Sequence, residues 1–124
     1  MLKFLVVMLG CALGGAFRYL ISTYMNKFLD FPIGTLSVNI IGCFLIGLIA
    51  TFLTEKMENP SPYISLFLTV GFLGGLTTFS SFSNETLYLL RTGDYLFGVL
   101  NVVLNTFGGL LAVLLGMIII RLIF

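Results

Sequence analysis

The residues able to do chemistry in this 124-residue chain cluster in one stretch, Gly71 to Thr86, which reads GFLGGLTTFSSFSNET. It sets glycines at Gly71, Gly74 and Gly75 beside hydroxyls at Thr77, Thr78, Ser80, Ser81, Ser83 and Thr86, two phenylalanines at Phe79 and Phe82, and a carboxylate at Glu85. On a helix, Phe79, Phe82 and Thr86 share one face, and Ser81, Glu85 and Tyr88 share the next. Two more polar stripes recur at helical spacing: Thr35, Asn39 and Gly42 or Cys43, then Asn101, Asn105 and Gly109. Amides, hydroxyls and aromatic edges in such stripes either bond neighbouring helices or line a polar pathway.

Other chemistry finds no support. The chain has no histidine, no cysteine with a base beside it, no paired carboxylates and no phosphate-cradling loop with a lysine. Catalysis is therefore not expected. Cys11 and Cys43 lie in apolar segments, where packing is the usual role, and two lone cysteines make neither a metal nor a redox motif. Six basic and five acidic residues, scattered singly, leave no patch for nucleic acid or anionic lipid.

The elements that position these groups follow from composition. With 59% hydrophobic and 9% charged residues, the chain cannot clothe a soluble globule and reads as an all-α integral membrane protein. About 20 residues cross the hydrocarbon, so four spans are expected, over residues 4–25, 34–54, 62–91 and 95–121, in one domain covering 1–124. The first span has no cleavage site resembling a leader's and is expected to remain as a helix. Gly10, Gly14 and Gly15 give it a face for close helix contact. Arg18 lies about 22 Å along that helix from Lys3, either snorkelling beside Tyr19 or serving an aqueous vestibule. A first loop covers Asn26 to Pro32, and a second covers Glu55 to Ser61.

The third span is too long for one straight crossing, and its glycines and threonines weaken the helix. A break at 74–78 divides it into halves of similar length and lies near the midplane, where an unwound turn survives only if protein, water or an ion satisfies it. Lys3, Lys56 and Arg121 fall on one side of the membrane, and Arg18, Lys27 and Arg91 on the other. This tie gives no preferred orientation. Inverted copies can then pair about a two-fold axis through the break, where freed carbonyls from both would suit a small hard cation.

The motifs GGAFRY (Gly14 to Tyr19), GTLSVNIIGCFLIG (Gly34 to Gly47), GFLGGLTTFSSFSNET and LNVVLNTFGG resemble the Fluc, or CrcB, family of bacterial fluoride channels over nearly the whole chain. The resemblance implies an antiparallel, dual-topology homodimer in the bacterial inner membrane that relieves fluoride toxicity by passive export. It implies Asn39 as the pore-lining amide and Phe79 and Phe82 as an aromatic box that meets fluoride with ring edges. The polar track would add Ser81, Thr35, Glu85, Asn101 and Asn105. A central structural sodium ion would rest on main-chain oxygens of Gly74 and Thr77. Some relatives carry tyrosine and serine where this chain has Asn101 and Asn105. A small proton-coupled multidrug exporter is the alternative, although the first helix lacks that class's glutamate. A packing subunit would explain the glycines but not the polar stripes.

Overall fold

The computed structural model describes residues 1–27 and 30–124, so Phe28 and Leu29, inside the expected first loop, lie outside the described residues. Helix α1 spans Leu2–Met25 and α2 spans Ile33–Lys56. The third crossing, Pro62–Thr92, consists of α3 over residues 62–76 and α4 over Phe79–Thr92. Helix α5 covers Tyr95–Ile123. All four crossings are long and apolar enough to traverse a membrane. Each outruns its expected bounds by only a residue or two at one or both ends.

Local chemistry sets the ends. Pro62 opens α3 at a position whose N–H would lack a helical partner anyway. Thr78 caps α4, its hydroxyl accepting from the Ser81 N–H at 3.2 Å. Gly93 closes α4 in the left-handed region at φ 92°, a conformation that costs glycine little. Among the described residues, three wide π-helical stretches interrupt the α-geometry, at Phe52–Lys56, Leu66–Leu73 and Leu104–Gly108. None of the three is visible in the hydrophobic pattern.

Small residues bring the helices together. Helix α1 packs along α3, where a methyl group on Gly14 would fall on the Phe72 carbonyl and one on Gly10 would lie 2.6 Å from the Phe67 carbonyl. Helix α2 meets the second half of α5 in the same manner, through Gly47 and Gly116. A methyl group on Gly15, expected on the same face as Gly10 and Gly14, would meet nothing of its own chain within 4 Å. The Arg121 guanidinium grips the Glu55 carboxylate and joins the ends of α2 and α5.

The break is narrower than the expected 74–78. Gly74–Leu76 stays helical, and only Thr77 (ψ 156°) and Thr78 (φ −150°, ψ 115°) are extended. Tertiary contact overrides glycine's weak propensity here, because Gly75 is wedged against α1, where a methyl group would lie 2.7 Å from the Cys11 carbonyl. The Thr77 N–H still reaches the Leu73 carbonyl at 3.0 Å. The chain leaves the helix one residue later, where another donor–acceptor pair competes for Thr78.

This packing makes two adjacent glycines unequal. Gly14→Ala should lower stability by about 1–3 kcal/mol, because backbone, not a flexible side chain, occupies the space. Gly15→Ala should stay within about 0.5 kcal/mol of the parent. Thermal unfolding of both variants in detergent tests this, and equal losses would refute the close-contact role of Gly14.

Candidate functional site

The site is assembled at the break. Asn39 of α2 pairs with Thr78 much as a neighbouring peptide would: its Oδ1 accepts the Thr78 N–H at 2.8 Å and its Nδ2 donates to the Thr78 carbonyl at 3.3 Å. In an unbroken helix the Thr78 N–H would bond the Gly74 carbonyl; here Asn39 takes that donor. The freed Gly74 carbonyl belongs to an exposed residue whose missing side chain meets nothing of this chain closer than 4.0 Å.

Other amides continue from Asn39. Its Nδ2 also donates to Asn105 Oδ1 at 2.8 Å, and Asn105 Nδ2 donates to the side-chain oxygen of Asn101 at 2.9 Å and its main-chain oxygen at 3.0 Å. Asn101 is fully buried, and its Nδ2 donates to Thr86 Oγ1 at 2.9 Å. Thr86 returns the chain to α4 by donating to the Phe82 carbonyl at 2.8 Å. The π-helical stretch Leu104–Gly108 lies at Asn105, a common setting for functional side chains.

Phe79 and Phe82 follow directly after the break, their ring centroids 5.5 Å apart and planes tilted by 57°. Phe82 is partly covered, whereas Phe79 is 79% exposed and projects away from its own fold. With Asn39, Thr77, Thr78 and Asn105, the two rings line an open cleft of about 540 Å3. Its polar groups are carbonyls, hydroxyls, amides and ring edges.

Not every expected site residue lies there. Thr35 donates to Glu85 Oε1 at 2.6 Å, and Glu85 faces a separate hollow of about 260 Å3 with Asn84, Asp30 and Tyr88. The second carboxylate oxygen, Oε2, is buried without a hydrogen-bond partner. Asn101 lies inside the protein between these regions and lines neither. Ser81 sits beside the cap, its Oγ accepting the Thr78 hydroxyl at 3.1 Å.

Arg18 Nη1 donates to the Thr77 carbonyl at 3.4 Å, so the guanidinium stands at the carbonyl end of α3. That end carries partial negative charge, whereas the first turn of α4 across the break carries partial positive charge. Thr78 is the residue that the expected site omitted, although it touches Asn39, Ser80 and Ser81. Its signal was present: a threonine just before an amphipathic run is a helix-start signature.

Comparison with known proteins places this geometry in context. Residues 5–117 match the family described as "CrcB-like protein, Camphor Resistance (CrcB)". A protein of Shewanella sp. (strain W3-18-1), named "Fluoride-specific ion channel FluC", is 49% identical over 118 residues, covering 94% of each chain. A protein of the same name from Shewanella baltica (strain OS185) is 49% identical over 114 residues, covering 90% of each. With four apolar crossings, a third crossing broken at Thr77 and Thr78, and a match over most of its length, the chain belongs to the CrcB family.

Proposed function

We propose that this protein is a passive, fluoride-selective channel of the bacterial inner membrane that lets the anion leave the cytoplasm. The observation that carries this reading is the meeting of Asn39, Phe79 and Phe82 in one cleft beside a helix break. A small, strongly hydrated anion entering a low-dielectric path must receive donors in place of water. Amide hydrogens and the positive edges of aromatic rings supply them, and no lysine or arginine side chain is among the residues that line the cleft. The names borne by relatives of about half-identical sequence point the same way.

The working unit in this reading is an antiparallel homodimer. An exposed phenylalanine, an exposed Gly74 and a cleft open on one side are what a chain would present to a second copy. With the Arg18 guanidinium drawn to the break, Lys3, Lys56 and Arg121 stand toward one end and Lys27 and Arg91 toward the other, a near-even split that imposes little orientation. The central sodium ion fits the same region: Gly74 has lost its helical donor to Asn39, and main-chain oxygens suit a hard, singly charged cation. Gly74 and Thr77 would hold it, with Thr77 sharing its carbonyl with Arg18. Bound there, the ion supplies positive charge where carbonyl-rich helix ends converge.

Thr35 and Glu85 in this scheme serve the outer track rather than the box. The buried Asn101 supports the box without lining it. The proton-coupled exporter gains nothing from the geometry, since Glu85, its one candidate carboxylate, does not line the larger cleft.

Fluoride efflux from liposomes containing only this protein, with and without a proton gradient, tests the function. Purified Phe79→Ile and Phe82→Ile proteins should remain folded yet conduct poorly. Wild-type rates in both would return the rings to packing, where such swaps cost roughly 1 kcal/mol and leave flux intact. A single cysteine at Asn59, with Cys11 and Cys43 replaced, should label from both sides of the membrane in comparable amounts, and one-sided labelling would refute the antiparallel pair. Thermal stability should rise with sodium but not with a bulky organic cation, by mass action on the folded state. Indifference to sodium would remove the ion from the scheme.

A further inference from the structure

A side-chain amide can face either way, because its oxygen and nitrogen are nearly alike in size and place. Here the chemistry at both ends allows one arrangement. The Thr78 N–H can only donate, so Asn39 must present Oδ1 to it at 2.8 Å. The Asn101 main-chain carbonyl can only accept, so Asn105 must present Nδ2 to it at 3.0 Å. Between these backbone anchors, the pair closes with Asn39 Nδ2 donating to Asn105 Oδ1 at 2.8 Å. Turning either amide alone sets like against like, and turning both breaks the two ends.

This polarity makes the two hydrogens of the Asn39 amide unequal. One is held by Asn105 Oδ1 at 2.8 Å, while the other rests on the Thr78 carbonyl at 3.3 Å, beyond the usual N–H···O range. The loosely held hydrogen lies at the break, and Asn39 lines the cleft together with Phe79 and Phe82. Asn105 has nothing equivalent to offer, since its own Nδ2 is engaged by two oxygens of Asn101.

We propose that Asn105 is a positioning residue: by occupying one hydrogen of Asn39, it leaves a single, weakly held N–H for the anion, and this keeps binding loose enough for rapid passage. The inference rests on the fluoride reading and deepens it. An anion arriving at Asn39 displaces only the long bond to Thr78, and the bond to Asn105 keeps the amide in register throughout. Without Asn105, both hydrogens would turn to the anion. Conduction requires a site favourable enough to enter and weak enough to leave.

The test is fluoride efflux as a function of fluoride concentration for full-length wild type and Asn105→Leu in liposomes. The variant should show a lower maximal rate together with a half-saturating concentration lowered about tenfold, the ratio expected for one added charge-assisted hydrogen bond. A purely structural role would weaken both parameters together, and that result, or no change in either, overturns the proposal. Should Asn105→Leu fail to fold, side-chain amide NMR of asparagine-labelled wild type decides it. Fluoride should move one hydrogen of the Asn39 pair more than the other and leave the Asn105 pair in place. A shift in Asn105, or none in Asn39 from protein that conducts fluoride, overturns it. Protein that neither conducts nor shifts would instead defeat the fluoride reading, and this inference with it.

Discussion

The structure depends on the Asn39 side chain acting as a surrogate peptide for Thr78. Leaving a helix inside a membrane strands backbone donors and acceptors that no water can satisfy, at several kcal/mol for each unmet group. Asn39 answers the stranded Thr78 on both sides, through one acceptor and one donor. That pairing allows the third crossing to stop and restart. It thereby sets Phe79 and Phe82 at the beginning of a new helix rather than in the middle of an old one. The Gly74 carbonyl, the cap at Thr78 and the open cleft all follow from it.

Much of this was legible because lipid simplifies the grammar of a sequence. Four apolar runs gave four crossings, and period-four polar residues gave the stripes holding Asn39, Asn101 and Asn105. The break was legible in kind and drawn too wide. Propensity points to Gly74 and Gly75 as the weak link, but contact with α1 keeps them helical and the departure falls at Thr77 and Thr78. Partner choice was not legible at all. That Thr35 bonds Glu85, fifty residues away, and that Arg18 bonds Thr77 depend on which helices become neighbours. Periodicity assigns faces but does not match them. The π-helical stretches were equally silent, since one wide turn barely disturbs a hydrophobic pattern.

The interior has a composition that would be odd in water. Among its most fully buried side chains are Asn101 and Thr35 alongside Val38, while leucines, isoleucines and phenylalanines cover the outside. In lipid, moving a leucine inward gains little, because the tails are as apolar as the core. Burial is better used on glycines that admit a neighbouring backbone and on amides that find partners away from hydrocarbon. The polar network is thus both the adhesive of the fold and the material of its site. A substitution there affects assembly and transport together unless, like those above, it is chosen to separate them.

The wide turn at Leu104–Gly108 has a geometric consequence for α5. Before it, Tyr95–Val103 packs on α4; after it, Gly109–Ile123 packs on α2. A π-turn accommodates an additional residue, and one residue of an α-helix corresponds to about 100° of rotation. The bulge therefore works as a phase shifter, joining two faces that a uniform helix of the same residues could not present to two different neighbours. In this segment the number of residues matters independently of their identity: removing one would let the helix run straight with Gly116 still facing α2, whereas the same residues wound as uniform α-helix would turn Gly116 away.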